Sequence, residues 1–283
     1  MNQTVLITGT SSGFGNLTAV TLSKAGYNVI ATMRNSQGKN SAVANELGSI
    51  KNVTVLEMDV ADEDSVKNAI VKSLTVHNTI DVVVNNAAVW GTGVTEAYSI
   101  DQHKRMFDVN YFGTVRLYNA VLPIMRKQRS GLFINITTGA SGFTIPYVVP
   151  YFASKMAIES LTEGMQEELR PFGIDSVSIQ PGVFDTGINS KEGVNPNLSK
   201  IIEAYGENAT APMQRMMDAL LGSISKYDLD PQLIANGILK VIGMEAGKRP
   251  LRFPIDPLAE GIDVEFIEMR AAIKKKWSAK YGS

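Results

Sequence analysis

The chain has 283 residues, 44% of them hydrophobic, with 27 basic against 28 acidic residues and a formal net charge of -1. That is enough apolar material for a sizeable core, and it offers no basic surplus for a nucleic-acid partner. Cysteine is absent and the only histidines are His77 and His103, which excludes disulfides, thiolate catalysis and Cys- or His-rich metal sites.

Taken in chain order, short β-branched runs alternate with longer helix-period segments. Strands are predicted at Thr4 to Thr8, Asn28 to Thr32, Val53 to Met58, Asp81 to Asn85, Leu132 to Thr137 and Ser176 to Gln180. Between them the 3.6-residue period predicts helices at about 14–25, 40–48, 62–75, 99–128 and 151–171. Such alternation predicts βαβ units with right-handed crossovers. The expected fold is α/β, a doubly wound Rossmann-type parallel sheet of about seven strands with helices on both faces. No Pro/Gly/Ser-rich linker interrupts the pattern, so one domain is expected over 1–283. After Gly182 the pattern changes. Residues 187–228 carry Ile201, Ile202, Tyr205, Met213, Met216, Met217, Leu220 and Leu221 among polar residues without a strand, as one or two inserted helices would. Pro231 to Met244 reads as a further helix and Leu251 to Phe253 as an edge strand. Both histidines, and Lys274, Lys275, Lys276 and Lys280, read as solvated side chains. No run approaches the ~20 apolar residues of a membrane span, and the N-terminus lacks signal-peptide features. A cytoplasmic protein without membrane or nucleic-acid partners is expected.

Three features carry chemistry. The first is Thr8-Gly9-Thr10-Ser11-Ser12-Gly13-Phe14-Gly15, placed between the first strand and first helix. Glycines there let backbone approach a pyrophosphate, and the helix N-terminus offers N–H groups and a positive dipole end to the anion. The spacing is G-x-x-x-G-x-G, not the general G-x-G-x-x-G fingerprint. The second is Ala31-Thr32-Met33-Arg34-Asn35 after the second strand, with no acid to bind a ribose diol and an arginine suited to a 2′-phosphate. NADP(H) is favoured, with NAD(H) as the alternative. The third is Tyr151 and Lys155, one helical turn apart on one face. A fixed ammonium beside a phenol favours the phenolate and brings its pKa from ~10 toward neutrality, which makes a proton donor for a carbonyl oxygen.

With the glycine loop and the Tyr151/Lys155 pair together, the chain resembles the short, single-domain branch of the short-chain dehydrogenase/reductase family, from about residue 3 to 186 and more loosely beyond. Further motifs agree. Asp59-Val60 stands where the family contacts adenine, and Asn85-Asn86-Ala87-Ala88 where it has Asn-Asn-Ala-Gly. Asn110 matches its helix asparagine. Pro181-Gly182-Val183-Phe184-Asp185-Thr186 matches its Pro-Gly-x-x-x-Thr, whose threonine holds the nicotinamide carboxamide. One position departs: the family's serine, thirteen residues before the tyrosine, is here Thr138, with Ser141 as a lesser alternative. Threonine keeps the hydroxyl and restricts χ1.

The resemblance implies hydride transfer between the nicotinamide and a carbonyl or secondary alcohol. Tyr151 would be the acid/base and Thr138 would bind the substrate oxygen. Lys155 would tune the tyrosine and bind the ribose, and Asn110 would hold a relay water. A dinucleotide-binding regulator without turnover is the rival reading. The substrate pocket is expected from Val89, Trp90, Ala140, Gly142, Phe143, Tyr147, Val183 and Phe184, under a helical lid at about 187–228 that includes Met213, Met216 and Met217. An ordinary packing role for these residues is the alternative. The resemblance also implies a homodimer or homotetramer through helices 99–128 and 151–171, with Val115, Leu117, Val121, Met156, Leu161 and Met165 as interface candidates, each of which could equally pack on the sheet.

Overall fold

The structure, a computed structural model, describes residues 3–139, 142–184, 186, 193–227 and 229–282. Seven parallel strands form one sheet. They are β1 (Thr4–Thr8), β2 (Asn28–Met33), β3 (Val53–Glu57), β4 (Val82–Asn85), β5 (Gly131–Ile136), β6 (Ile174–Pro181) and β7 (Arg252–Ile255). Their order is β3-β2-β1-β4-β5-β6-β7, so the chain winds outward in one direction and then reverses from β1. Each central strand is a near-continuous apolar run because both faces are covered.

Alternate residues of each strand serve opposite layers. Val5 and Ile7 of β1 enter one core with α1 (Gly13–Lys24), α2 (Ser41–Gly48) and α9 (Gln232–Ile242). Leu6 faces the other core, built with α3 (Glu63–His77), α5 (Gly113–Gln128) and α6 (Val149–Leu169). α3 starts where Asp62 accepts the Ser65 N–H at 2.8 Å, which satisfies one of the free N–H groups of the first turn.

The predicted helix at 99–128 is three pieces. α4 (Ile100–Phe107) opens with a Ser99/Gln102 capping box. A π-helical turn (Asp108–Phe112) then leads into α5. The extra residue of a π turn has no sequence-period signature, and such turns concentrate at functional positions. The 187–228 segment contains two helices, α7 (Ser199–Tyr205) and α8 (Glu207–Lys226); residues 187–192 and 228 lie outside the described residues. The strand expected near 251 runs from Arg252 to Ile255. A last helix, α10 (Ile262–Tyr281), follows it.

Three expectations are corrected here. Lys274 is not merely solvated, because it pairs with Glu163 at 2.7 Å. His77 is half-buried, with Nε2 enclosed and without a partner among the described residues, and burial lowers its pKa. Leu117 and Val121 are fully buried against the sheet and do not present an interface. No helix among the described residues is long and apolar enough to cross a membrane.

Candidate active site

The site lies at the carboxyl ends of β1, β4, β5 and β6, where an open parallel sheet with a reversal in strand order leaves a crevice. α6 begins with Pro150 in its first turn, where proline is pre-set for helix and the missing N–H costs nothing. One turn on, Tyr151 and Lys155 project from one face. Lys155 is 3% exposed, and its Nζ donates to the Ile136 carbonyl at the end of β5 at 2.7 Å. Nζ also stands 5.7 Å from the centre of the Tyr151 ring. Thr138 is two residues beyond Ile136 and half-buried, so it shares that strand end. Burial pushes the Lys155 ammonium down to about 8. The same cause raises the Tyr151 phenol above its ordinary value. The lowered phenol expected from the sequence is therefore not produced by the protein's own groups, because desolvation of the ring outweighs an ammonium engaged with a carbonyl.

Asn110 sits in the π turn and is 1% exposed. Its Oδ1 accepts the Val89 N–H at 2.8 Å, and its Nδ2 donates to the Val89 carbonyl and the Ser154 hydroxyl, each at 2.9 Å. The side chain thus braces the loop after β4 against α6. Both amide hydrogens are thereby engaged within the protein. Ser154, which completes the brace, was not evident from the sequence, since a serine between Tyr151 and Lys155 has no signal of its own.

The phosphate loop packs against the end of β4. Gly9 and Gly13 have φ of 72° and 56°, a region L side chains avoid. A Cβ on Gly9 would lie 2.9 Å from the Ala87 Cα, and one on Gly13 would lie 3.2 Å from the Thr186 Cβ. The loop therefore meets both the Asn86-Ala87 motif and Thr186, and Ser11 and Ser12 fall between these glycines. Asn86 donates through Nδ2 to the Thr8 and Gly9 carbonyls at 2.8 and 3.1 Å. Phe14 meets Phe184 edge-on, with ring centroids 5.7 Å apart. A cradle of bare backbone ahead of the α1 N-terminus suits the pyrophosphate of a dinucleotide.

At the carboxyl ends of β2 and β3, Arg34 lies 3.8 Å from Asp59, and both are partly exposed. Asp59 also accepts the Ala61 N–H, and Val60 is buried. Sequence reasoning missed Glu57 of β3. Its carboxylate accepts the Asn35 and Ser36 N–H groups at 2.6 and 2.7 Å and the Ser36 hydroxyl at 2.5 Å, clamping the turn that carries Arg34. Burial opposes ionisation of Glu57, and the hydrogen bonds from Ser36 and Asn35 outweigh it, so its pKa is lowered. The only signal was an acid opposite Met33 in the β2–β3 register.

Around the Tyr151/Lys155 pair, Trp90 meets Tyr151 edge-on at 5.8 Å, and Val89 packs in the same cluster as Tyr151. The chain at 194–198 runs along this wall, with Val194 N–H on the Trp90 carbonyl and Leu198 N–H on the Ala97 carbonyl. Tyr147 packs with Val94 and Ala97, and Met213 is half-buried on α8. Pro181 ends β6, with Gly182 and Val183 just beyond it. Phe184 is a core residue at 6% exposure. Phe143 is 55% exposed and meets Phe266 of α10, so it lies at the surface against that helix. Ala140, Ser141, Asp185 and Lys191 lie outside the described residues.

Glu159, one turn beyond Lys155 and 2% exposed, was also missed. It accepts from Thr137 and Gln180, each at 2.8 Å, and from Ser178, and pairs with Arg252 at 3.0 Å. The strand end that bears Ile136 and Thr138 is thereby tied to α6. A lone Glu on a helix is indistinguishable in sequence from a solvated one.

Comparison with known proteins agrees with this geometry. The chain is 31% identical to 3-ketodihydrosphingosine reductase of Bacteroides thetaiotaomicron, across 91% of this chain and 89% of that protein. It superposes on a short-chain dehydrogenase from Streptomyces avermitilis with a TM-score of 0.77, at 26% identity over 99% and 98% of the two chains. Gluconate 5-dehydrogenase from Burkholderia cenocepacia, solved with NADP and tartrate, matches at 29% identity and a TM-score of 0.62 over 67% and 74%. Residues 3–196 match the family described as short chain dehydrogenase. With its seven-stranded parallel sheet and its Tyr151/Lys155 helix, the chain belongs to the short-chain dehydrogenase/reductase family of oxidoreductases.

Proposed function

We propose that this protein transfers a hydride between a nicotinamide dinucleotide, NADP(H) in preference to NAD(H), and a carbonyl or secondary alcohol. Tyr151 acts as acid and base. The observation that carries the reading is the single face of α6 that brings Tyr151 and the buried Lys155 to the end of β5, beside Thr138. The cofactor supplies or accepts the hydride at the substrate carbon. The chain handles position and protons. In reduction, Tyr151 gives its hydroxyl proton to the substrate oxygen; in oxidation it takes that proton back. Thr138 donates to the same oxygen and fixes its direction. Lys155, with a pKa of about 8, carries its charge at neutral pH and stabilises the phenolate left on Tyr151. Glu159 and Asn110 hold the strand end and the β4 loop in place. α7 and α8 cover the crevice and limit water.

Preference for NADP(H) is supported by Arg34, whose guanidinium is half-exposed beyond β2, and by Glu57, whose carboxylate already accepts from three donors of the turn that carries Arg34. The test is Tyr151→Phe, assayed for turnover of a carbonyl panel and titrated with NADPH by nicotinamide fluorescence. General acid–base catalysis is worth roughly 10²–10⁴-fold, so kcat should fall by that order while NADPH binding persists. A near-wild-type rate in this variant would overturn the proposal.

A further inference from the structure

α8 is anchored at both ends and uncovered in the middle. Near its start, Ala209, 5% exposed, packs with Val94 and Ala97, together with Tyr147. Near its end, Ile224 packs against the large core cluster that contains Phe184. The first anchor includes Tyr147, just before Val148 and Val149, where α6 begins; the second joins the core layer that also holds Phe184. On the reading above, in which α8 covers the crevice, the stretch between these anchors is the part that faces it. At 1.5 Å per residue, the fifteen steps from Ala209 to Ile224 span ~22 Å.

Between the anchors, Met213, Met216, Met217 and Leu220 recur at steps of three and four. They share the stripe of Ala209 and Ile224 and turn the same way. Each is half-buried, and none belongs to any of the buried clusters. Gln214 and Asp218, hydrogen-bonded to each other at 2.8 Å, and Arg215 occupy the exposed outer side. An apolar stripe held over a reaction crevice, with its own core packing confined to its ends, has the form of a binding surface. It is one helix stripe wide and several turns long, and three of its four side chains are methionines, which adapt to flexible apolar partners.

We infer that this stripe recognises an elongated, unbranched alkyl chain on the substrate, whose carbonyl or alcohol end lies at Tyr151. This deepens, and rests on, the hydride-transfer reading above. A short or charged substrate would leave the stripe in water. An alkyl chain buries it, and each further methylene is worth ~0.8 kcal/mol, or about fourfold in kcat/KM.

The experiment is a series of straight-chain methyl ketones of increasing length, assayed with NADPH and with NADH, on wild type and on Met216→Gln/Met217→Gln. Wild-type kcat/KM should rise about threefold to fourfold per methylene over the middle of the series, and the double variant should reduce that gain to less than about twofold. Calorimetric titration with the same ketones in the presence of cofactor reads chain recognition without turnover, and a melting curve checks that the variant is folded. Turnover that is lost in Tyr151→Phe but does not vary with chain length, or an unchanged slope in the double variant, overturns the chain inference alone. Affinity that climbs with chain length without turnover leaves the chain site standing and overturns hydride transfer. Neither turnover nor length-dependent binding overturns both.

Discussion

At the scale of single residues, burial and hydrogen bonding decide what each group can do. Arg34 is an exposed cation on a turn held by Glu57. Arg34→Ala should weaken NADPH binding at least tenfold, about 1.4 kcal/mol, and leave NADH nearly unchanged, as read by fluorescence titration. Equal losses for both cofactors would remove the 2′-phosphate role. Lys155 makes a pH prediction. Burial lowers it in the folded protein to about 8, against 10.5 in the unfolded chain. Between those values the unfolded chain holds more protons, so stability rises with pH. The burial penalty is full below about pH 8 and is relieved as pH approaches 10.5. Lys155→Met should flatten the rise in urea midpoint across that window; an identical slope would mean the ammonium is solvated. The Tyr151/Lys155 pair and the glycine loop were legible from local spacing alone. Glu57, Ser154 and Glu159 were not, because their partners come from other strands and helices.

At the scale of elements, α6 carries the proposed acid/base pair and is also a structural strut. Its face presents Tyr151, Lys155, Glu159 and Glu163 at successive turns. The last two meet Arg252 of β7, and Glu163 also meets Arg270 and Lys274 of α10. Desolvation opposes ionisation of Glu163, but Lys274 and Arg252 outweigh it and hold its pKa at about 2. Removing a buried carboxylate strips its donors of their acceptor. Glu159→Leu should therefore cost roughly 3–5 kcal/mol in denaturant unfolding, because Arg252 keeps only Glu163 among the described residues, and Thr137, Ser178 and Gln180 lose this acceptor. A loss below ~1 kcal/mol would show that Glu163 alone satisfies Arg252. The π turn teaches the same lesson for secondary structure. Periodicity predicted a helix through 99–128, and a helix path is present. The added residue that points Asn110 at Val89 and Ser154 is set by those two partners.

At the scale of the whole molecule, the strand order and the two-layered core agree with the alternation of apolar runs and helix-period segments. The expected homo-oligomer has a candidate surface. A shallow groove of about 300 Å³ runs along α6, with Tyr111, Leu161, Gly164 and Met165 in its lining. If two copies join there, sedimentation equilibrium should find a dimer or tetramer for wild type and a monomer for Leu161→Glu/Met165→Glu. A monomeric wild type would reject the surface. Leu117 and Val121, sequence candidates for the same role, face the sheet. A stripe on a helix sandwiched near a sheet cannot be assigned to sheet or solvent until the helix's rotation is known.

The doubly wound sheet, the tight glycine turn between β1 and α1 and the shared face of Tyr151 and Lys155 were all readable along the chain. Each depends on contacts within one turn, one strand or one strand–helix junction, so spacing along the chain carries the information. Tertiary structure decided the rest. It turned Asn110 into a brace, tied Glu57 to the turn that carries Arg34 and closed Glu159 against Arg252. It also anchored α8 at both ends. These arrangements pair residues from about twenty to more than a hundred positions apart. Which partners meet is set by how helices rotate and dock on the sheet, and no local pattern encodes that.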